Sequence, residues 1–346
     1  MNTVATATAP TPPRAGSHGV WSLAARRLRH DRIGMGALAV VGVFGMMVVL
    51  VSLHLLAAGW ADERGVHYAN PTFLGPGPDD LAMIEPPPGN MLDITAVDPL
   101  APHYADIERR TRELQTTQRP RVRTLPFGGD RYGRDVLAKA IKGSQVSIIV
   151  GLASAAVATL IGSVLGAFAG FFGGRIGDGL EWLYNVFTSV PYILLVFAFA
   201  AVSGRGIGSV IVILGLTGWT GVYRLIRAEY LKHATREYVR AAQAIGAPSL
   251  SRMFVHILPN VSHVILVQLS LNVVSFIKAE VILSFLGLGV SVDSVSWGTM
   301  LNEAQSELIL GKWWQLAAAT VFMALFVTAF SAFTDSLRDA LDPKLR

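Results

Sequence analysis

Val146 to Phe172 reads VSIIVGLASAAVATLIGSVLGAFAGFF, an apolar run without a single charged residue. A helix of about 20 apolar residues crosses the hydrocarbon core of a bilayer, where no water is present to satisfy exposed backbone groups. This run is long enough to do so. Working outward, comparable runs cover Ile33 to Leu56, Trp182 to Ser203, Ile207 to Tyr223, Val261 to Val290 and Trp313 to Thr334. The first is interrupted only by His54, and the fifth carries Lys278 and Glu280. The sixth opens on Trp313 and Trp314, residues that favour the membrane–water interface. The expectation is an all-α membrane protein with six transmembrane helices. Because Ile33–Leu56 exceeds the about 7–15 apolar residues of a cleaved leader, it is read as a retained span.

Composition points the same way. Apolar residues make up 52% of the chain and charged residues 15%, against roughly a quarter charged in a soluble domain. The net charge of +5 comes mainly from bases in short segments flanking the apolar runs, which is a topology signal rather than a nucleic-acid patch. The chain has no cysteine, which excludes disulfides, thiolate metal sites and cysteine nucleophiles. Its eight histidines show no metal spacing. Gly204-Arg-Gly206-Ile-Gly208 follows no strand and is not a nucleotide loop. No catalytic residues, cofactor or metal are expected.

Lysine and arginine in short loops set orientation. The N-terminal tail, residues 1–32, holds Arg14, Arg26, Arg27, Arg29 and Arg32 against Asp31. The segment between spans four and five holds Arg224, Arg227, Lys232, Arg236, Arg240 and Arg252 against Glu229 and Glu237. Between spans five and six, Asp293, Glu303 and Glu307 face only Lys312. Both termini, including the tail 335–346, are therefore expected in the cytoplasm. Residues 57–145 then lie outside, and prolines from Pro71 to Pro126 make much of that segment irregular. Within it, Tyr104 to Gln118 reads as a helix. Val136, Leu137, Ala140 and Ile141 alternate with Arg134, Lys139 and Lys142, which reads as a second helix lying on the outer membrane face. Residues 1 to about 18 read as disordered.

Gly162, Gly166 and Gly170 recur every fourth residue of span two, a strip along which another helix backbone can approach. Glu280 lies about 19 residues into span five, roughly 29 Å along a helix and near the outer interface. A gate or pore role and a plain interfacial role are both open to it. Lys278, two positions away, points to another face.

The cytoplasmic segment 237–259 carries the functional signal. Tyr238, Ala241, Ala242 and Ile245 fall at helical spacing, as do Leu250, Met253, Phe254 and Ile257. Gly246-Ala247-Pro248 divides the two short helices, and Pro259 ends the second. Pieces of about ten residues are too short to stand alone in water, so something covers their apolar stripes. The chain's own helix ends and a partner protein are both candidates.

Glu237-Tyr-Val-Arg-Ala241-Ala242-Gln-Ala-Ile-Gly246-Ala247, followed by His256-Ile-Leu-Pro259-Asn260, resembles the EAA loop of membrane subunits of binding-protein-dependent ABC importers. Arg240 stands where the general pattern has glutamate, as in the peptide and nickel branch of that family. Leu125-Pro-Phe-Gly128-Gly-Asp130-Arg-Tyr-Gly133-Arg134-Asp135, Glu280-Val-Ile-Leu-Ser-Phe-Leu-Gly287-Leu-Gly289, Ser296-Trp297-Gly298-Thr-Met300-Leu301 and the ending Leu341-Asp342-Pro343-Lys-Leu-Arg346 resemble the same branch. The insertion from about residue 61 to 124 is longer than that branch usually shows.

The resemblance implies a MetI-like permease fold in the bacterial cytoplasmic (inner) membrane. The first span would be residues 33–56, and a five-helix core would occupy residues 146–334. A cytoplasmic coupling helix would dock in an ATPase, with Glu237, Tyr238, Ala241, Ala242, Gly246, Ala247, Leu250, Met253, Phe254, Ile257 and Pro259 at the contact. Expected partners are a second homologous permease subunit, two ABC ATPase subunits and an extracytoplasmic substrate-binding protein. The cargo implied is a di- or oligopeptide, with nickel or another small solute as the alternative. The chain has no Gly-x4-Gly-Lys-Ser/Thr sequence, so ATP hydrolysis falls to another chain. Two other classes fit less well. A secondary transporter driven by an ion gradient wants inverted repeats and mid-membrane acids. A membrane-embedded enzyme wants convergent catalytic groups.

Overall fold

A computed structural model of the chain describes residues 26–77, 99, 101–114 and 121–341. The N-terminal stretch read as disordered lies outside these residues, as do Arg14, most of the proline-rich segment and the terminal Asp342-Pro343-Lys-Leu-Arg346. The helices are α1 (Arg32–Ser52), α2 (Tyr104–Leu114), α3 (Val136–Phe172), α4 (Gly174–Thr188), α5 (Tyr192–Ser203), α6 (Ile207–Thr217), α7 (Thr220–Ala234), α8 (Glu237–Ala244), α9 (Leu258–Phe285), α10 (Trp297–Ile309) and α11 (Trp314–Leu341). Strands β1 (Gly65–Pro71) and β2 (Val122–Leu125) pair in parallel and add a small sheet to an otherwise helical chain. Helix α2 covers the described part of the predicted Tyr104–Gln118 helix.

Among the described residues, four helical stretches are long and apolar enough to cross a membrane: α1, α3, α11 and the run Ser249–Phe285 that contains α9. Two bent pairs qualify if each pair counts as one crossing, with bends of 82° between α4 and α5 and 40° between α6 and α7. Span three was expected as one helix from Trp182 to Ser203, and the structure breaks it at Pro191. Proline lacks the N–H that would continue the helix, and Pro191 sits in an extended conformation at the cap of α5. Span four also differs from a single run ending at Tyr223. It breaks at Gly218, where a Cβ would lie 2.3 Å from the Phe276 ring, and then continues as α7.

Helix α3 is the central post, touching α1, α4, α6, α7, α9, α10 and α11. Its glycine strip works at the backbone level. A Cβ on Gly162 would lie 2.6 Å from the Trp219 carbonyl oxygen, on Gly166 2.7 Å from that of Tyr223, and on Gly170 2.5 Å from that of Arg227. The matching order of the three contacts means that α3 and α7 run in the same direction. Helix α9 runs the opposite way along α3: Ser147 meets Glu280, and Asn272 meets Thr159. Gly34 of α1 faces Ser336 of α11, while Phe44 meets Phe326, so these two helices are also antiparallel. Leu28, Leu337, Ala340 and Leu341 then pack with Leu266 and Val267 of α9.

At the other end of α3 the sequence reading needs correction. The helix expected to lie separately on the membrane surface is the first turns of α3, which continues unbroken to Phe172. Asp135 caps it by accepting hydrogen bonds from the Leu137 and Ala138 N–H groups at 2.8 and 3.3 Å. Lys139 is not a solvated or snorkelling base: it is 1% exposed and donates to Asp130 at 2.7 Å, to Glu303 and to Gln315 at 3.2 Å. Asp130 also accepts from Arg134 Nε at 2.7 Å. Burial alone would raise the Asp130 pKa, but Lys139 and Arg134 outweigh it and hold the carboxyl below its ordinary value. Trp314 is buried and donates to the Gly129 carbonyl at 2.7 Å, leaving Trp313 as the tryptophan that faces outward.

Glu307 closes this cluster from α10. It is fully buried, and among the described residues neither carboxylate oxygen has a hydrogen-bond partner; the Arg131 N–H favours its charge without reaching bonding geometry. Burial, aided by the nearby Asp130 and Glu303, pushes its pKa from 4.5 up to about 7 against the opposing pull of Lys139.

Two outcomes are expected. Gly166→Leu forces α3 away from α7, and overpacking of this kind costs about 1–3 kcal/mol, so the variant should melt earlier in detergent than the parent. Glu307 binds its proton more tightly when folded. Its stabilisation is therefore complete below its ordinary value of 4.5 and lost as pH rises through about 7. Glu307→Gln should accordingly flatten the fall in melting temperature across that interval, and an unchanged pH slope would contradict the assignment.

Candidate functional site

The segment joining α7 to α9 folds as an elbow. Helix α8 ends in a left-handed cap at Gly246, whose φ is +86°. The Gly246 N–H donates to the Gln243 carbonyl and the Ala247 N–H to the Ala242 carbonyl, both at 3.0 Å. These are the two bonds of a Schellman cap. No atom lies within 4 Å of a Cβ built on Gly246, so the glycine is required by backbone conformation and not by close approach of a neighbour. Pro248 then starts the turn Ser249–Ser251, and a wide π-helical turn, Arg252–Ile257, leads into α9. Pro259 does not end that helix as expected. It lies in the first turn of α9, where its missing N–H costs nothing.

The apolar stripes divide between two surfaces. From α8, Val239 and Ala242 turn inward and are nearly inaccessible, while Tyr238, Ala241 and Ile245 are exposed. Val239 was missed as an inward residue because the stripe had been phased on Tyr238. Of the second set, Met253 and Ile257 are wholly buried, and Leu250 and Phe254 are exposed. Of the inward residues, Val239, Met253 and Ile257 form one cluster with Ala167 of α3, Val222, Ile226 and Tyr230 of α7, and Val261 of α9. The helix ends are therefore one cover for the stripes, and they use only Ala242 of the first and Met253 and Ile257 of the second.

Polar contacts lock the elbow to these ends. The Tyr230 hydroxyl donates to the Met253 carbonyl at 3.3 Å, and His233 Nδ1 lies 2.8 Å from the Tyr238 hydroxyl. The Arg252 guanidinium lies 5.4 Å above the centre of the Phe171 ring and donates to Ser249 at 3.0 Å. Phe254 contacts Phe168 edge to face at 6.4 Å. Helix α8 thus bears directly on α7, and the turn Arg252–Ile257 bears on α3 and leads into α9.

The outward side is apolar around the cap. Ile245 is 85% exposed, Leu250 55%, Val255 63% and Phe254 40%. Glu237, Arg240 and Pro259 are also exposed, and Ala247 is half-buried.

Glu280 lies far from the elbow and is completely enclosed by this chain. It accepts from Ser147 of α3 and Ser284 of α9, each at 2.7 Å. The Trp297 N–H donates to the same Ser147 at 3.2 Å, so the carboxylate ties α3, α9 and the start of α10 together. Lys278 is exposed on another face of α9. Among the described residues, no group of three or more histidine, aspartate or glutamate side chains is arranged to hold a metal.

Residues 162–346 match the family described as binding-protein-dependent transport system inner membrane component. The chain is 40% identical over 220 residues to a dipeptide transport system permease protein of Bacillus subtilis, covering 64% of this chain and 69% of that one. It is 35% identical over 246 residues to an oligopeptide transport system permease protein of the same organism, covering 71% and 80%. A di/tripeptide transport system permease protein of Pseudomonas aeruginosa is 36% identical over 220 residues, covering 64% and 72%.

Conformation at Gly246 makes a graded prediction. Gly246→Ala forces a Cβ into the left-handed region at roughly 1–2 kcal/mol and should loosen the elbow, read as faster protease cutting between α8 and α9. Gly246→Asn, which tolerates that region, should cut more slowly than the alanine variant. Equal cutting of both variants would mean that φ is not what selects glycine here.

Proposed function

The chain belongs to the family of binding-protein-dependent transport system inner membrane components, and from that membership we propose that it is the permease subunit of an ATP-driven peptide importer. The peptide cargo follows the relatives, which are named for dipeptides, oligopeptides and di/tripeptides. In this reading the chain crosses the membrane six times, each bent pair making one crossing. The parallel course of α3 and α7 and the antiparallel course of α3 and α9 support that count. The described ends near Leu28 and Leu341 gather beside the elbow end of α9, which supports both termini lying with the elbow in the cytoplasm.

The observation that carries the mechanism is the two-sided elbow. Val239, Met253 and Ile257 bind it to three helix ends, while Ile245, Leu250, Phe254 and Val255 stay exposed and make the apolar knob of this reading. An ATPase subunit docked on the knob moves the elbow when nucleotide turns over. The rigid inward face passes that motion to α3, α7 and α9, and so to the path that the peptide takes. A second permease subunit completes that path, a second ATPase drives its elbow, and an extracytoplasmic binding protein delivers the cargo. Glu280 acts in this scheme as an internal tie that keeps α3, α9 and α10 moving together.

Charging the knob tests this. Ile245→Glu combined with Leu250→Glu should reduce co-purification of the ATPase and lower peptide uptake by about tenfold or more, because loss of central apolar anchors typically costs over 1 kcal/mol each. Both side chains are exposed, so the amount of chain in the membrane should not change. Full ATPase retention and uptake in the double variant would overturn the docking assignment.

A further inference from the structure

The segment between α1 and α3 presents an apolar tip that nothing in the coupling scheme uses. After β1, the chain turns at Thr72, Phe73 and Leu74. The Leu74 N–H donates to the Pro71 carbonyl at 2.9 Å, and the Thr72 N–H donates to the Leu125 carbonyl at 2.9 Å. The Asn70 side chain reaches across to the Gly75 carbonyl at 3.1 Å, and Gly75 takes a φ of +72° to close the turn. Several backbone and side-chain bonds therefore hold outward two large apolar side chains, Phe73 at 60% and Leu74 at 54% exposure.

What lies beside this tip identifies its surroundings. The Phe73 ring sits 6.4 Å from Trp313 and 6.3 Å from Phe127. Trp313, itself 41% exposed, immediately precedes α11, one of the membrane-length apolar helices. From Trp313 a stripe of α11 runs through the half-buried Leu316 and Ala317 to the exposed Thr320, Val321, Ala324, Leu325 and Thr328. The tip is thus continuous with a stripe that faces outward along a membrane helix, at the level where the helix enters the bilayer. Lys312 lies at the same level, with its ammonium 5.3 Å from the Trp314 ring centre. Aromatic residues and lysine gather at the membrane–water interface because each is part apolar and part polar.

We propose that the Thr72–Leu74 turn is a membrane anchor, with Phe73 and Leu74 inserted beside Trp313 into the interfacial layer of the bilayer. The ligand is the lipid surface itself. The anchor fastens the segment between α1 and α3 to the membrane next to the polar cluster around Lys139. It stands independently of which cargo is carried and of where the ATPase docks.

Because the chain has no cysteine, a single introduced one reports one position. Phe73→Cys, labelled with a polarity-sensitive fluorophore, is compared in the full-length chain, purified with its accompanying subunits and reconstituted in lipid nanodiscs. The cysteine-free parent serves as the blank. Arg64→Cys, in the same segment with a side chain 56% exposed, marks water, and Val321→Cys, 59% exposed on α11, marks lipid. Interfacial insertion of about 5–10 Å should let nitroxide carried at a shallow acyl position quench the label at 73 at least about twofold more than at 64. Iodide should quench it correspondingly less. If iodide reaches 73 as readily as 64, the turn stands in water; if neither quencher reaches it, protein covers it; either result overturns the anchor. Leu74→Cys carries the same test should Phe73→Cys fail to accumulate.

Discussion

Where Gly162, Gly166 and Gly170 face α7, a single added methyl group would collide with a backbone carbonyl. At that distance two helices pack peptide against peptide, and only hydrogen fits between them. Dispersion falls off steeply with separation, so so close a seam behaves as one rigid body and not as two helices with side chains between them. In a bilayer this matters more than in water, because lipid offers no hydrophobic penalty that would press loosely matched helices together. The inward face of the elbow rests against Ala167, Val222, Ile226 and Tyr230, all beside this seam, and would have no fixed floor without it.

Helix α3 extends beyond the seam in both directions. From Lys139 to Phe171 it covers roughly 48 Å, about one and a half times the hydrocarbon thickness. One end is held by the ion pairs of Lys139 with Asp130 and Glu303, the other by contacts of Phe168 and Phe171 with the elbow. Glu280 ties α9 and the start of α10 to its N-terminal third. The elbow thus rests against a continuous post with a buried ionic anchor at its far end. A buried anchor of this kind tolerates poorly the loss of one partner, which would leave charge uncompensated in a dry environment. The same cost explains why such a cluster forms only with every base matched by an acid.

Other parts of the fold were less legible in the sequence. Hydropathy cannot see a bend, since Pro191 and Gly218 sit inside runs that remain apolar on both sides. The 82° and 40° turns there depend on which backbone groups lose their partners and on the Phe276 ring lying against Gly218. Lys139 had the opposite failing. Its spacing matched an exposed polar face, yet its partners Glu303 and Gln315 are more than 160 residues distant and invisible to any local pattern. The apolar spacing in the elbow located both short helices and the Gly246 break, but it could not phase them. Helical periodicity states that a stripe exists, and only the neighbouring helix ends decide that Val239 turns inward while Ile245 turns out.

By itself, then, the sequence determined a membrane-embedded helical chain, the strip on which its central helix packs and the elbow with its glycine cap. Each of these follows from local chemistry: the cost of an unsatisfied peptide group in lipid, the absence of a side chain, a backbone angle that glycine alone adopts freely. Tertiary structure decided which part of each stripe is covered, where two spans bend, that Glu280 is enclosed by its own chain, and that a base near the membrane surface belongs to a buried ionic cluster. Those features are set by residues far apart in the chain meeting in one place, and no local spacing contains that information.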